Sequence, residues 1–524
     1  VYSIRYIIFI CKVTRERKSA GPNMQKPDTI APSTASMAIR LRKHGPFADL
    51  REDIGTDKSV SNYLINWEYP FISILVATYN ESLVIERLLN SFTSLSYPAE
   101  KFEIIIVDDS SDDTYEKIQR RLTDIHNLRV IHRQKREGWK GGALNVALDA
   151  MDKRTSYVLI LDADNILLVD TLERCISLFI ENQYSYRREG FSIVAIQGFP
   201  ISKSNLECDN EWENQENVGN WIARAIDFRL SQRNMIEFAA KDLLHLPVQI
   251  TGSLFMMRAD MLKSIKFCSD LCEDWELTLD VYCCSLLPCH LLSPFSIRDV
   301  ITSDRITKPI CNHRSDGILS NPTVVSLKPR IIFDRRLVSY CEATTDLAAY
   351  FRQRMRVSEG HTRGLRRRIK RIANSRMLSL VDKVELFLNG LQYAKFTFVL
   401  AVGILDIILI LIYLLDGNNN PQLINLFGTC LSLQAANLAV SIVRILWAKK
   451  ICRQIRRYNT KDVLSLIVLY TITTPAFAIG SLLGFLRNKG IFYRTQRNLP
   501  MQSKFSKASL PSDTKKSSSS YASS

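Results

Sequence analysis

Two carboxylates one residue apart, Asp162 and Asp164, close the run Tyr157-Val-Leu-Ile-Leu-Asp-Ala-Asp-Asn165. An uncharged run of this kind reads as a buried strand, and residues two apart on a strand share a face, so both carboxylates point the same way. Paired hard oxygen donors at a sheet edge suit a divalent cation that keeps waters and takes its other ligands from a diphosphate. The same pattern also serves as a helix cap or a solvated turn. Three further groups could act with this pair. The loop Arg136-Glu-Gly-Trp-Lys-Gly-Gly-Ala-Leu-Asn145 sets glycines and Lys140 at a helix start, where free N–H groups meet an anion, or else makes a plain tight turn and cap. Asp108-Asp-Ser-Ser-Asp-Asp-Thr114 is a polar loop opening on two acids. Glu273 and Asp274 precede a helix-period pattern, where acids compensate the helix dipole and where a general base could sit.

These groups need elements to carry them. Phe71-Ile-Ser-Ile-Leu-Val-Ala77 reads as a strand ending in Thr78-Tyr-Asn-Glu81, and Leu83, Glu86, Leu88, Leu89 and Phe92 mark an amphipathic helix after it. Phe102-Glu-Ile-Ile-Ile-Val107 is a second strand and Leu128 to Ile131 a third. Strand, polar loop and helix in repetition is the rhythm of a doubly wound α/β sheet. Phe191 to Gln197 reads as a further strand and Asn214 to Phe238 as a long helix. Val248 to Arg258 reads as a strand interrupted by Gly252, a position where a ligand could come close.

The chain has 524 residues and a net charge of +16, with 46% hydrophobic residues, and its longest apolar runs all follow Tyr393. Phe396 to Leu415, Ile424 to Trp447 and Val463 to Leu486 are transmembrane candidates, the last with Pro475 inside it. The basic residues crowd beside these runs, which points to anionic membrane lipids, and no interleaved aromatic and basic pattern marks a nucleic-acid partner. Lys449, Lys450, Arg453, Arg456, Arg457 and Lys461 share one loop, which the positive-inside rule places in the cytosol with the catalytic domain. The twelve cysteines lack zinc-site spacing, in spite of the local group from Cys268 to Cys289, and read as reduced thiols of a cytosolic domain.

The ordered series Ala77-Thr-Tyr-Asn-Glu81, Asp108-Asp109, Lys140-Gly-Gly-Ala-Leu-Asn145, Asp162-Ala-Asp164, Gly252-Ser253 and Glu273-Asp274 resembles family 2 glycosyltransferases with a GT-A fold. Tyr350-Phe-Arg-Gln-Arg-Met-Arg-Val-Ser-Glu-Gly360 extends the resemblance to the membrane-bound branch that includes cellulose, glucomannan and hyaluronan synthases. The resemblance implies a fold: a GT-A doubly wound mixed or parallel sheet with helices on both faces, followed by an all-α transmembrane region. It also implies roles. Thr78, Asn80, Glu81, Asp108, Asp109, Lys140, Gly141, Gly252 and Arg354 belong to the binding of a nucleoside diphosphate sugar, Asp108 or Asp109 holding base and ribose and Lys140 approaching the phosphates. Asp162 and Asp164 bind Mg2+ or Mn2+. Asp274, beside Glu273, takes the acceptor's proton, and Gln353 and Arg356 close the site. One base without a covalent nucleophile implies inversion at the anomeric carbon.

Two departures stand out. Val357 replaces the Trp that follows the Arg in the family and stacks on the acceptor sugar, which favours single transfer to a lipid or polyprenyl phosphate over polymer synthesis. The segment from Ile301 to Cys341 is long and basic, an insert at the acceptor entrance or a surface loop. The expected layout is a truncated transmembrane helix over 1–13, a linker over 14–69, the catalytic domain over 70–300, an acceptor-side segment over 301–372, an interfacial helix over 373–395, transmembrane helices over 396–486 and a tail over 487–524. In that tail Phe492-Tyr-Arg-Thr-Gln-Arg497 resembles a gating segment that lies over the cytosolic site, so Pro475 is read as marking a hairpin or re-entrant segment. A growing polysaccharide or lipid-linked glycan is the expected acceptor. A catalytically silent membrane partner and a transporter are the other classes; the intact acids, Gln353 and Arg356 argue against the first, and only the isolated Asp406 and Arg444 speak for the second.

Overall fold

The structure is a computed structural model that describes residues 5, 8–12, 69–188, 190–203, 220–284, 327–342, 344–416, 421–453 and 458–490. The elements run β1 (Phe71–Thr78), α1 (Ile85–Thr93), β2 (Phe102–Asp108), α2 (Thr114–Arg120), β3 (Leu128–His132), α3 (Trp139–Asp149), β4 (Thr155–Asp162), β5 (Ile166–Leu167), α4 (Thr171–Arg188) and β6 (Phe191–Lys203). Next come α5 (Trp221–Gln232), a π-helical turn (Arg233–Phe238), α6 (Ala239–Leu243), β7 (Phe255–Arg258), α7 (Ala259–Ile265), α8 (Glu273–Cys283) and β8 (Lys328–Glu342). The helices α9 (Leu347–Asn374), α10 (Leu380–Gly390), α11 (Ala394–Asp416), α12 (Pro421–Cys452) and α13 (Thr460–Leu486) follow.

One eight-stranded sheet organises the first part, in the order β3-β2-β1-β4-β7-β6-β8-β5. β3, β2, β1 and β4 run parallel, and β7 is antiparallel to both β4 and β6. Strand residues alternate between two cores. Leu75, Ile105, Val158 and Ile160 face one cluster, while Ile74, Ile104, Leu159 and Leu161 face the other, so helices cover both faces. The fold class therefore stands as expected: a mixed GT-A-type sheet followed by helices.

Several sequence expectations change. Val248 to Leu254 is not strand, because Gly252 (φ 79°) and Leu254 (φ 49°) take left-handed backbone that a pleated strand does not accept; only Phe255–Arg258 pairs. Within the segment from Ile301 to Cys341, residues 328–341 are neither insert nor loop. They form most of β8, which runs parallel to β6 inside the sheet and carries that sheet past residue 300. The long helix expected to Phe238 is a 12-residue α-helix that breaks into the π turn at Arg233. The interfacial helix is shorter than 373–395: α10 starts on a capping box of Ser379 and Asp382, buries Leu386 and exposes Leu380, Val381 and Val384.

Three helices are long and apolar enough to cross a membrane: Ala394–Leu415, Pro421–Cys452 and Thr460–Leu486. Pro475 does not mark a hairpin, since α13 runs unbroken through it. The motif from Phe492 to Arg497 lies outside the described residues. Near the amino end Phe9 and Ile10 are buried against Ile236, Ala240, Ala448 and Ile451, and Arg5 Nε donates to Glu385 at 2.9 Å.

The basic run on α9 is also turned to a different use from the expected lipid surface. Arg363 is fully buried and bonds Asp270 (3.1 Å) and Glu359 (3.0 Å). Arg368 holds Asp280 with both Nε (2.9 Å) and Nη2 (2.6 Å), and Arg366 donates to the Phe485 carbonyl at 2.8 Å. These guanidinium groups tie α9 to α8 and to the end of α13.

Candidate active site

Parallel pairing gathers the chemistry at one edge. The register places Thr78 beside Asp108 and Ala77 beside Asp162, so β1, β2 and β4 deliver their carboxyl ends together, where open α/β sheets bind ligands. Backbone in the left-handed region recurs around this edge: Asn80, Gly138, Trp139, Gly252 and Leu254 all have positive φ. Strain of this kind persists where surrounding structure fixes it, and it clusters at sites.

The centre is a charged knot from four separate stretches. Lys140 Nζ, on the first turn of α3, donates to Asp162 Oδ1 at 2.6 Å and to the Gly252 carbonyl at 2.7 Å, with Glu273 Oε1 at 3.5 Å. Asp162 N donates to Ser253 Oγ at 2.9 Å, which fixes the end of β4 against the 248–254 segment. That segment is held in turn by buried Gln197, whose Oε1 accepts from Thr251 N (2.8 Å) and whose Nε2 donates to the Ser253 carbonyl (3.1 Å). A Cβ on Gly252 would stand 3.2 Å from Asp274 Oδ2 and 3.6 Å from Lys140 Nζ, which locates the glycine between the Asp274 carboxyl and the Lys140 ammonium.

Asp274 sits on the first turn of α8, and its Oδ1 accepts from Trp275 N at 2.7 Å. Burial and the neighbouring Glu273 push its carboxyl from 3.8 up to about 7, against the pull of Lys140. A carboxyl poised there suits general base chemistry. Burial alone would lower Lys140, but Asp162, Glu273 and Asp274 outweigh it and the ammonium is held above its ordinary range.

The flank under β1 and β2 is more occupied than the sequence implies. Asp108 is fully buried and accepts from Thr78 Oγ1 (2.6 Å), Ser110 Oγ (2.6 Å) and Ser110 N (3.1 Å), with His132 Nδ1 at 2.8 Å. It organises the loops. Arg133 clamps Asp109 with two bonds of 2.7 and 2.6 Å, and Arg136 stacks 3.6 Å above the Tyr79 ring. Asn80 bridges to the next loop, its N donating to Ser110 Oγ and its Oδ1 accepting from Ser111 N, both at 2.7 Å, while Glu81 N donates to Thr114 Oγ1 at 2.9 Å. A polar shelf with Tyr79 and two guanidinium groups results.

On α9, Arg356 lies within electrostatic reach of both Arg136 and Cys272, between the shelf and the start of α8. Gln353 accepts from the Arg354 side chain at 2.9 Å, and Arg354 stacks over Tyr350 at 5.0 Å. Gly141 is required by its close approach to the Cys268 carbonyl of the chain itself. The sequence reading missed Gln197, Arg133, His132 and Tyr79. Gln197 lies mid-strand without a motif, while His132 ends β3 and Arg133 follows it, opposite the acids, and both were legible as charge partners.

Asp162 and Asp164 can hold a divalent cation only in part. Among the described residues no group of three or more His, Cys, Asp or Glu could hold a metal. Two carboxylates, one of them 43% exposed, fit a Mg2+ or Mn2+ that takes its remaining oxygens from substrate and water.

Residues 73–196 match the family described as Glycosyl transferase family 2, and the chain carries a glycosyltransferase domain of that family. Over 113 residues it is 33% identical to poly(ribitol-phosphate) beta-N-acetylglucosaminyltransferase TarS of Staphylococcus aureus, covering 22% of this chain and 19% of that protein. Beta-monoglucosyldiacylglycerol synthase of Trichormus variabilis is 36% identical over 112 residues, 21% of this chain and 24% of that one. Glucomannan 4-beta-mannosyltransferase 2 of Arabidopsis thaliana is 31% identical over 120 residues, 22% of each chain. The matches thus span about a fifth to a quarter of those relatives' length. Among solved structures, mannosyltransferase PcManGT from Pyrobaculum calidifontis in complex with GDP-Man and Mn2+ aligns at 14% identity over 86% of this chain and 99% of that one, with a TM-score of 0.43.

Proposed function

We propose that this chain is a membrane-embedded inverting glycosyltransferase that moves a sugar from a nucleoside diphosphate sugar to an acceptor hydroxyl of a glycan or lipid-linked glycan at the cytosolic membrane face. The observation that carries the reading is Asp274, held near pH 7 beside Gly252, Lys140 and Asp162 at the carboxyl edge of the sheet. Its Oδ2 takes the acceptor proton as the acceptor oxygen attacks the anomeric carbon, and a single in-line displacement inverts that carbon. The shelf of Tyr79, Asp109 and Arg136 binds the nucleotide. Lys140 and Arg356 supply positive charge to the departing diphosphate. Mg2+ or Mn2+ held by Asp162 and Asp164 would supply charge neutralisation at the same diphosphate. Gln353, on the same face of the chain as Arg356 one helical turn away, positions the acceptor side. The loop from Lys449 to Lys461 and the positive-inside rule support the cytosolic face.

A second reading, single transfer to a lipid acceptor, is favoured by Val357. Its carbonyl accepts from Cys272 Sγ at 3.6 Å, so this position braces the loop before the base and offers no aromatic platform to a sugar polymer. Release of UDP or GDP from a panel of nucleotide sugars by the purified full chain, with Mn2+ or Mg2+, tests the activity. Turnover of one donor that disappears with chelator and in Asp162→Ala is expected. Absence of turnover with every donor, in the presence of membrane lipids and glycan primers, would refute the assignment.

A further inference from the structure

His361 follows Gln353 and Arg356 on α9 and is 4% exposed, with a partner on every side. Its Nε2 lies 3.2 Å from the side-chain amide of Gln249, and its Nδ1 lies 3.3 Å from that of Gln392. The ring lies flat on Trp275, at 4.9 Å and 6°, with Tyr393 edge-on at 5.3 Å. The His361 carbonyl accepts from Trp275 Nε1 at 3.1 Å, so one residue holds the indole by its face and by its N–H. Gly364 makes room for this packing, since a Cβ there would stand 3.1 Å from Trp275 Cδ1. Burial and the charges of Arg233 and Arg354 push the imidazole from 6.5 down to about 3, so the ring is neutral.

A neutral imidazole offers one N–H and one lone pair, so one glutamine faces it through its oxygen and the other through its amide nitrogen. A ring without nitrogens would stack on Trp275 as well, so the two hydrogen bonds are what histidine adds. They lead to the walls around Asp274. Gln249 belongs to the 248–254 segment that carries Gly252. Beside it Ile250 N donates to Thr278 Oγ1 at 3.0 Å, and Thr278 Oγ1 donates to the Asp274 carbonyl at 2.8 Å. On the other side Trp275 N donates to Asp274 Oδ1 at 2.7 Å, which leaves Oδ2 facing Gly252. His361 therefore holds the backbone after Asp274 through Trp275 and the Gly252 segment through Gln249. Gln392 ties the same ring to the corner between α10 and α11. A reacting group misplaced by about 1 Å can cost about a hundredfold in rate, so what fixes these walls bears on the chemistry.

We propose that His361 is a positioning residue for the transfer: through Gln249 and Trp275 it sets the Asp274 carboxyl against the Gly252 segment, in register with the helix that carries Gln353 and Arg356. The proposal rests on the reading of Asp274 as the base and adds the residue that orients it. His361 itself touches no reacting atom.

The test uses the full chain in detergent and the nucleotide sugar turned over in the panel above. His361→Phe keeps a ring on Trp275 and loses both hydrogen bonds, whereas Gln puts an amide near the Nε2 position and Asn puts one near Nδ1. His361→Phe and Gln249→Leu are each expected to lower kcat about 10–100-fold with donor KM within about twofold. The double variant should cost about as much as the worse single one, because the two residues act through one bond. His361→Gln should recover much of the loss and His361→Asn little. Unchanged far-UV circular dichroism shows that the variants are folded. A second readout needs no donor: the difference in melting temperature between Asp274→Asn and wild type at pH about 8, less that at pH about 4. Adding His361→Phe to both chains should shrink this quantity by about half or more, since a carboxyl no longer held in its buried place ionises more readily. A kcat within about twofold of wild type in folded His361→Phe, or recovery by Asn in place of Gln, would overturn the proposal. If no nucleotide sugar turns over, the transferase reading falls and the melting temperatures decide alone. Shrinkage would keep His361 as the residue that holds Asp274, and an unchanged difference would remove it.

Discussion

Replacing Asp274 with Asn separates what the native state tolerates from what the reaction needs. In the folded chain this carboxyl keeps its proton to about pH 7, against an ordinary 3.8. Between those values an unfolded chain ionises while the native one does not, so the group lowers stability progressively as pH rises from about 4 to 7 and by a constant amount above. At about 1.4 kcal/mol for each pH unit the gap amounts to at most ~4 kcal/mol, and partial solvent contact brings it to roughly 2 kcal/mol. Asn carries no such burden. Asp274→Asn should therefore raise the melting temperature at pH about 8 and leave it nearly unchanged at pH about 4, while nucleotide release falls by about 10²–10⁴-fold. In the wild type, release should drop as pH falls through about 7 while the base takes up its proton. Differential scanning fluorimetry at both pH values, run beside a coupled assay of nucleotide release, reads both effects. The reasoning fails if the Asn variant releases nucleotide within tenfold of the wild type. It also fails if the wild-type rate is flat from pH about 8 to about 5.

Three further perturbations probe neighbouring groups. Lys140→Met removes the cation that holds Asp274 down, so the acid limb of the pH–rate profile should move to higher pH. Gly252→Ala combines a left-handed backbone with a Cβ 3.2 Å from Asp274 Oδ2; a loss of about 1–2 kcal/mol in stability and a fall in kcat larger than the change in donor KM are expected from unfolding curves and initial rates. Arg363→Ala leaves buried Asp270 and Glu359 without their shared partner. Its cost should be about 3–5 kcal/mol, seen as a lower melting temperature of the full chain, with Arg363→Lys recovering part of it.

The parallel half of the sheet was legible because β1, β2 and β4 are buried on both faces and read as unbroken apolar runs that end in acids. The three apolar helices were legible for a similar reason, each requiring a length of carbon that few other structures need. The 248–254 segment was not, since its apolar residues follow the strand pattern while Gly252 and Leu254 adopt backbone that no composition announces. The site divided the same way. Asp162, Lys140, Gly252, Glu273 and Asp274 were named from motif and spacing, and the structure gathers them. Gln197 was invisible, because a polar residue in mid-strand looks the same in sequence whether it braces a neighbouring segment or faces water.

The least anticipated relation is between α9 and α13, the third of the long apolar helices. A basic run next to apolar segments reads as a lipid-facing belt, yet α9 turns its arginines to Asp270, Glu276 and Asp280 and gives its small residues to α13. Ser358 Oγ donates to the Phe477 carbonyl at 2.7 Å, Thr362 Oγ1 meets Ser481 Oγ at 3.1 Å, and a Cβ on Gly484 would lie 2.6 Å from the Glu359 carbonyl. Small residues four apart allow the backbones this approach, as in membrane helix pairs. From the same stretch of α9, His361 stacks on Trp275, the residue after the base, at 4.9 Å, and meets Tyr393 at 5.3 Å; Tyr393 stacks on Phe477 of α13 at 5.2 Å. An unbroken line of rings thus runs from Trp275, next to Asp274, to the apolar helix α13. The helix that carries Gln353 and Arg356 is therefore held by α13 as much as by α8, and on the proposed function the acceptor side depends on the apolar helix packed behind it.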